Sequence, residues 1–101
     1  MSLDSREVAR NASELRANFE LAELSPHEVA TDLHFTPARL ADALGSSGDP
    51  VDVWLLRDYL EKAVRVGGRE PVPFTILTEA ARSSARVWFD LREAPEPGRP
   101  S

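Results

Sequence analysis

The sequence predicts an all-α protein, a single domain of five helices with a helix-turn-helix core and at most one short extended segment. Helix start patterns recur along the chain, and apolar residues follow them at the three-to-four spacing of an amphipathic helix. Segments with the alternation and β-branched content of strands are scarce, and the chain has only two Trp, one Tyr and four Phe. The N-cap residues predicted in this way are Asp4, Ser25, Thr36, Asp49 and Thr78.

Length and composition favour one soluble domain. A chain of 101 residues can bury a core without disulfides or metals. We place the helical domain at residues 1–92 and predict a disordered tail over residues 93–101, which are rich in Pro and Glu. Absence of cysteine excludes disulfides, zinc-thiolate sites and a Cys nucleophile. Without an apolar leader or a run of membrane-spanning length, we expect a cytoplasmic protein with no membrane contact.

Charge is distributed unevenly along the chain, whose net charge is −5. Residues 1–50 contain nine acidic side chains and four arginines, whereas residues 51–101 contain eight of each sign. Affinity for nucleic acid depends largely on neutralising phosphates, and DNA-binding domains usually carry a basic patch. The acidic first half therefore disfavours DNA as a partner.

The first helix is predicted from residue 4 to about residue 21. Asp4 and Glu7 match the capping-box pattern. Val8, Ala12, Leu15 and Phe19 then recur at helical spacing. The stripe is typical of a helix that covers a core, and a dimer seam is the alternative.

The segment from Ser25 to Leu44 has the pattern of two short helices joined by a tight turn. Ser25-Pro26-His27-Glu28 matches a capping box with Pro at the first helical position, and Thr36-Pro37 repeats the start. His34 occupies the turn position that needs a left-handed conformation. The apolar residues fall where a helix-turn-helix buries its side chains: Val29, Ala30, Leu33, Phe35, Leu40 and Ala43.

A fourth helix is predicted from Asp49 to about Arg65, ended by Gly67-Gly68. Its apolar face comprises Val53, Leu56, Tyr59, Leu60, Ala63 and Val64. Trp54 points nearly opposite to Leu56, since each residue turns the helix by about 100°. It therefore needs a cover, which is either the C-terminal part of the same chain or a second subunit or ligand. Asp52 is interpreted as a cap-side acid and Asp58 as a solvated charge.

The prolines of residues 71–77, PVPFTIL, exclude a regular helix there and predict an extended segment, at most a short edge strand. Its backbone polar groups need partners, so it lies over a helix groove or pairs with a symmetry mate. Thr78 then caps a last helix that reaches about Phe89. Its predicted inward stripe is Leu77, Ala81, Ala85, Trp88 and Leu91, with Arg82 and Arg86 on the outer side.

Several of these segments together resemble a known bacterial family. They are residues 14–40, ELRANFELAELSPHEVATDLHFTPARL, then residues 52–64, DVWLLRDYLEKAV, and residues 71–91, PVPFTILTEAARSSARVWFDL. The chain resembles domain of unknown function family 2316 over roughly residues 4–91. The resemblance implies a small helical protein with a helix-turn-helix-like core. It supplies no catalytic or binding residues.

A DNA-reading role would use the second helix of the motif. The candidate DNA-facing residues are Thr36, Ala38, Arg39 and Asp42. Base edges are read mostly by Arg, Lys, Asn and Gln, whereas Thr36 is expected to act as a cap and Asp42 would meet phosphates at a like-charge cost. Arg39 is expected to reach a phosphate from the side, and a dimer could add Arg82 and Arg86. DNA binding is therefore the second hypothesis.

The preferred hypothesis is a protein-interaction or regulatory module that acts as a homodimer. The candidate interface residues are Trp54, Phe74, Ile76, Trp88 and Phe89. An enzyme is the third class, because no metal-ligand pattern, phosphate loop or nucleophile elbow is present. His27 and His34 are read as helix-end and turn residues, and we expect no cofactor and no metal.

Overall fold

Five helices make up the computed structural model, which describes residues 4–89 together with Leu91 and Ala94. The helices are α1 Ser5–Ala22, α2 Pro26–Leu33, α3 Pro37–Leu44, α4 Pro50–Val66 and α5 Glu79–Trp88. No strand occurs within these residues. The all-α prediction is confirmed, and each helix boundary lies within two residues of its predicted position.

The helix starts are set by local side-chain caps. The Asp4 side chain accepts from the backbone N–H of Glu7 at 2.9 Å, and the Glu7 carboxylate accepts from the Asp4 N–H. Ser25 and Glu28 form the second capping box. These bonds satisfy N–H groups that have no partner inside the helix. The remaining N-caps are the predicted Thr36, Asp49 and Thr78.

The core is built around α4. Four of its side chains, Leu56, Tyr59, Leu60 and Val64, are completely buried. α1 and α3 pack directly against α4, and α2 packs against α3. Leu15 from α1 and Val29 from α2 complete the fully buried apolar set. α4 therefore has a much wider buried surface than the single face predicted for it, because helices cover it from several sides.

The turn between α2 and α3 depends on a left-handed residue. His34 has φ 59° and ψ 38° and donates its N–H to carbonyls of the preceding turn. Its exposed side chain does not enter the core. Phe35 follows it, buries its ring and donates its N–H to the Ala30 carbonyl at 2.8 Å. The predicted turn conformation at His34 is confirmed.

Residues 71–77 form an irregular, strand-free segment across α1 and α4 that bends at residues 75–77, so the predicted extended conformation does not hold over its whole length. The Asn18 side chain accepts from the Val72 N–H at 2.9 Å and donates to the Val72 carbonyl at 3.0 Å. Glu14 accepts from the N–H and the hydroxyl of Thr75, and Arg57 donates to the Leu77 carbonyl at 3.1 Å. Of the two predicted ways to satisfy this backbone, lying over a helix groove is the one observed.

α5 lies at the edge of the fold, and none of its ten residues, all of them described, is buried. Ala81, Ala85 and the following Leu91 pack against the core. Trp88 was predicted for the same inward stripe, but its side chain is 72% exposed. That prediction is wrong because packing along α5 stops at Ala85, and the last turn of the helix extends beyond the core.

The predicted disordered tail over residues 93–101 lies outside the described residues, with one exception. Ala94 is buried, and its carbonyl accepts a hydrogen bond from Lys62 Nζ at 3.0 Å. Within the described part of the chain, no helix combines the length and hydrophobicity needed to span a membrane.

Candidate functional site

The outer surface of α3 carries the four candidate DNA-facing residues. Thr36 Oγ1 accepts from the Arg39 N–H at 3.1 Å, so this hydroxyl serves as the helix cap. Ala38 and Asp42 are exposed. At these candidate positions α3 therefore exposes one acid, one small apolar residue and Arg39, and its basic character depends on Arg39 alone.

Arg39 is already paired within the chain. Its guanidinium donates two hydrogen bonds to Asp52, from Nε at 3.1 Å and from Nη2 at 2.7 Å. It also lies 4.5 Å from the centre of the Phe35 ring. The hydrogen bonds that Arg39 donates to Asp52 raise the pKa of Arg39 above its ordinary value. Asp52 itself is buried, and its pair with Arg39 joins α4 to α3. It is therefore more than the cap-side acid that was predicted.

Trp54 is buried, with 6% of its surface exposed. The guanidinium of Arg82 lies over its ring at 4.8 Å from the centroid. The cover is therefore the C-terminal part of the same chain, the first of the two predicted alternatives. In this structure Trp54 presents no surface to a second subunit.

Arg82 and Asp58 form an ion pair that joins α5 to α4. Both side chains are largely buried, and Arg82 donates to Asp58 through Nη1 and Nη2 and to Glu79 through Nε. The hydrogen bond with Asp58 raises the pKa of Arg82 above its ordinary value. Arg57 also donates to Asp58 at 3.0 Å. The predictions of an outward Arg82 and a solvated Asp58 are wrong, because α5 packs with this face against α4.

The remaining candidate interface residues divide into two groups. Phe74 is buried beneath the Arg57 guanidinium, which lies 4.7 Å from its ring centre, and Ile76 is half-buried. Trp88 and Phe89 are exposed, Phe89 less so. Of the candidate interface residues, Trp88 and Phe89 at the end of α5 are therefore the ones exposed for contact with another molecule.

One exposed side of α5 carries no charged residue, although Glu79 and Arg86 are exposed elsewhere on the helix. It consists of Ala80, Ser83, Ser84, Val87 and Trp88, all of them exposed, and we call it the uncharged face of α5. At about 100° per residue these positions share one side of the helix. Glu79, Arg82 and Arg86 lie on a different side. Val87 is 76% exposed, so the C-terminal half of this face is an apolar projection.

A second apolar surface lies between α2 and α3. It is an open groove of about 500 Å³, which we call the α2–α3 groove. Its lining residues are Pro26, His27, Ala30, Thr31, Phe35, Pro37, Leu40, Ala41 and Leu44. None of these carries a carboxylate, and His27 is the only titratable side chain among them. The groove was not predicted, because it arises from how two helices with separate apolar stripes are set against each other.

Two buried asparagines on α1 were also missed. Asn11 and Asn18 are fully buried, and the Asn11 amide donates to Ser46 Oγ at 2.7 Å. Together with Leu15 they have the i, i+4, i+7 spacing of a single helix face. That spacing could have identified them, but sequence reasoning follows apolar residues and assigned the face to Val8, Ala12, Leu15 and Phe19.

The described residues contain no group of three His, Asp or Glu side chains arranged to hold a metal ion. Tyr59 is the titratable side chain most altered by its surroundings. It is completely buried and donates to Asp32 Oδ2 at 2.5 Å. Burial and this hydrogen bond raise the pKa of Tyr59 well above its ordinary value. We interpret the pair as part of the core, because Tyr59 belongs to the buried apolar cluster.

Comparison with known proteins identifies the family. The family model described as "Uncharacterized protein conserved in bacteria (DUF2316)" matches residues 1–90. The chain therefore belongs to this bacterial family, as the sequence resemblance indicated. Searches of the curated proteins and of the solved structures find no match.

Proposed function

We propose that the chain is a cytoplasmic protein-interaction module that forms a homodimer through the uncharged face of α5. The observation that carries this proposal is Trp88, a large aromatic side chain that is 72% exposed next to Val87. Tryptophan is enriched at the energetic centres of protein interfaces. An exposed apolar projection of this kind suits burial against another protein surface, with Arg86 at its edge.

Charge limits which surface two copies of the chain can share. Each copy has a net charge of −5, and like charges placed opposite each other cost binding energy. Two copies therefore associate best through surfaces that carry no charge. The uncharged face of α5 meets this condition, and homodimers of soluble proteins are most often symmetric pairs.

The same charges argue against DNA as the partner. Arg39 is paired with Asp52, and Asp42 lies exposed on the same helix. Phosphate contacts by α3 would require breaking the Arg39–Asp52 pair while the acidic first half of the chain repels the duplex. Protein contact needs neither change.

Light scattering with analytical ultracentrifugation tests the proposal. We expect a dimer mass for the wild type at about 100 µM. The variant Trp88→Ala should bind at least about thirtyfold more weakly, as expected for a loss of ~2 kcal/mol at an interface hot spot. Val66→Ala is the matched control, because Val66 is similarly exposed but lies at the end of α4.

A wild-type chain that stays monomeric at this concentration would contradict the proposal. Fluorescence anisotropy with mixed duplex DNA should be run in parallel at low and high salt. Tight DNA binding that weakens steeply with salt would favour the alternative hypothesis, in which the chain is a transcriptional regulator.

A further inference from the structure

We infer that the α2–α3 groove of one copy receives Trp88 of a second copy. The inference rests on the proposed homodimer and names the surface that faces α5 within it. Each chain then offers both a projection and a recess. In a two-fold dimer the two contacts are equivalent, so both grooves are filled.

The groove suits an indole ring in chemistry and size. Its walls are mainly apolar, with Ala30, Leu40 and Leu44 among the lining side chains, and its volume is about 500 Å³. A buried tryptophan also needs an acceptor for its N–H. His27 and Thr31, both exposed and both part of the lining, can supply one.

The distribution of charge favours contact between the α2–α3 groove and the uncharged face of α5. The lining of the groove has no carboxylate, although the first half of the chain contains nine acidic residues. The uncharged face of α5 has no charged side chain either. The contact between the groove lining and the uncharged face of α5 therefore places no acid against an acid, with Glu28 and Asp42 outside the lining.

Interface size favours the groove over a contact between two α5 helices. α5 has ten residues and is therefore about 15 Å long. The five residues of its uncharged face are far fewer than the roughly 20–30 residues that each partner contributes to a stable interface. Reciprocal docking adds the lining of the groove on both copies and so enlarges the buried surface substantially.

Cysteine cross-linking tests the inference directly, because the natural chain has no cysteine. The single variants Ala41→Cys, in the groove, and Val87→Cys, beside Trp88, are mixed and treated with a short bis-maleimide. Both positions are exposed on helices, so the substitutions should preserve the fold. We expect a covalent dimer that contains one chain of each variant, and its loss when Trp88→Ala is added to the Val87→Cys chain.

Val66→Cys mixed with Ala41→Cys is the matched control and should give no product above background. A product formed only between two Val87→Cys chains would show α5 against α5 and overturn the inference, while the homodimer would stand. A dimer mass without any product between Ala41→Cys and Val87→Cys would likewise overturn the inference and leave the homodimer standing. A monomeric wild type would overturn the homodimer itself, which separates the two failures.

As a second measurement, Ala41→Glu places a carboxylate in the groove at an exposed helical position. The dimer should weaken about as much as it does with Trp88→Ala, with unchanged helix content by circular dichroism. An unaffected dimer would overturn the inference.

Discussion

Tyr59 hydrogen-bonds across the core to Asp32, which ties α4 to α2. The phenol is fully buried and donates to the carboxylate. Ionising it would place a second negative charge beside Asp32 in a dry environment, and this is why the pKa of Tyr59 is raised. The hydroxyl thus stabilises the fold only in its neutral form.

We therefore predict an alkaline loss of stability that depends on Tyr59. Its pKa is higher in the folded than in the unfolded chain, where it is about 10. The contribution is complete below pH ~10. Above that pH the unfolded chain loses the proton first, so stability falls by up to about 1.4 kcal/mol per pH unit. The chain has one tyrosine, so tyrosinate absorbance follows it directly.

Tyr59→Phe is the matched variant. At pH 7 it should lower the free energy of unfolding by about 1–3 kcal/mol, because Asp32 loses a hydrogen bond to a charged acceptor. Denaturant titrations at pH 7 and above pH 10 should show a smaller pH dependence for Tyr59→Phe than for the wild type. A tyrosine that ionises near pH 10 in the folded protein would contradict this account.

The Arg39–Asp52 pair determines the charge on the outer side of α3. Asp52 is the more buried partner, so removing the arginine leaves a carboxylate without its principal donors. We predict that Arg39→Ala lowers the free energy of unfolding by about 1–2 kcal/mol, less than for a fully buried pair because the arginine is half exposed.

Asp52→Asn in the Arg39→Ala background completes a double-mutant cycle, measured by urea unfolding. The second substitution should cost less there than in the wild type, since the pair is already broken. Additive effects would contradict a direct interaction. Neither variant is expected to bind nucleic acid, so the cycle reports on stability alone.

At the scale of elements, residues 71–77 are held to α1 by the Asn18 amide. One side chain satisfies both the N–H and the carbonyl of Val72 and also donates to the Glu14 carbonyl. An amide can do this because it has both a donor and an acceptor end. Asn18 thus supplies the backbone partners that a neighbouring strand would provide in a sheet.

We predict that Asn18→Asp destabilises the fold more than Asn11→Asp does. An aspartate at position 18 cannot donate to Val72, whereas one at position 11 can accept a hydrogen bond from the Ser46 hydroxyl. Both asparagines are fully buried on the same helix, so the penalty for burying a carboxyl is matched. Urea unfolding measures the difference, and equal losses of stability would contradict the proposed role of Asn18.

α5 is attached mainly through Arg82, since none of its residues is buried. The guanidinium combines an ion pair with Asp58 and a stacking contact with Trp54. We predict that Arg82→Ala loosens α5 while the other helices remain folded, seen as faster amide hydrogen exchange in residues 79–88.

Arg86→Ala is the control for this helix. Arg86 is exposed, so its substitution should leave amide hydrogen exchange in residues 79–88 unchanged. In a Trp88→Phe background, Trp54 is the only tryptophan, and its emission should shift to longer wavelength with Arg82→Ala. A global loss of protection in all helices would contradict a local attachment.

For the whole molecule, the net charge of −5 distinguishes the two classes of partner. Salt screens repulsion between two acidic copies, with a Debye length near 10 Å at 0.1 M. The dimer should therefore tighten severalfold between about 0.05 and 0.5 M salt, whereas binding to DNA would weaken. Sedimentation equilibrium across the salt series measures this. A dimer that dissociates with added salt would contradict assembly through uncharged surfaces.

Most of the helical organisation could be predicted because its determinants are local. Asp4 with Glu7, and Ser25 with Glu28, are three residues apart and form their hydrogen bonds within one helical turn. The turn between α2 and α3 is local as well, because it depends on the left-handed backbone conformation of a single residue, His34. The exposed ring of Trp88 was predicted as an interface residue and also, incorrectly, as part of the inward stripe, since periodicity alone does not show where a core ends.

The sequence by itself determined the class of fold, the helix boundaries and the family, because these depend on neighbouring residues and on motifs along the chain. Only the tertiary structure decided which polar and aromatic side chains are engaged in contacts within the chain and which stay exposed. Asn18 meets Val72 across 54 residues, and Arg82 meets Asp58 across 24. Such contacts depend on how helices pack in space. They cover Trp54 and leave Trp88 exposed, so they place the proposed working surface on α5.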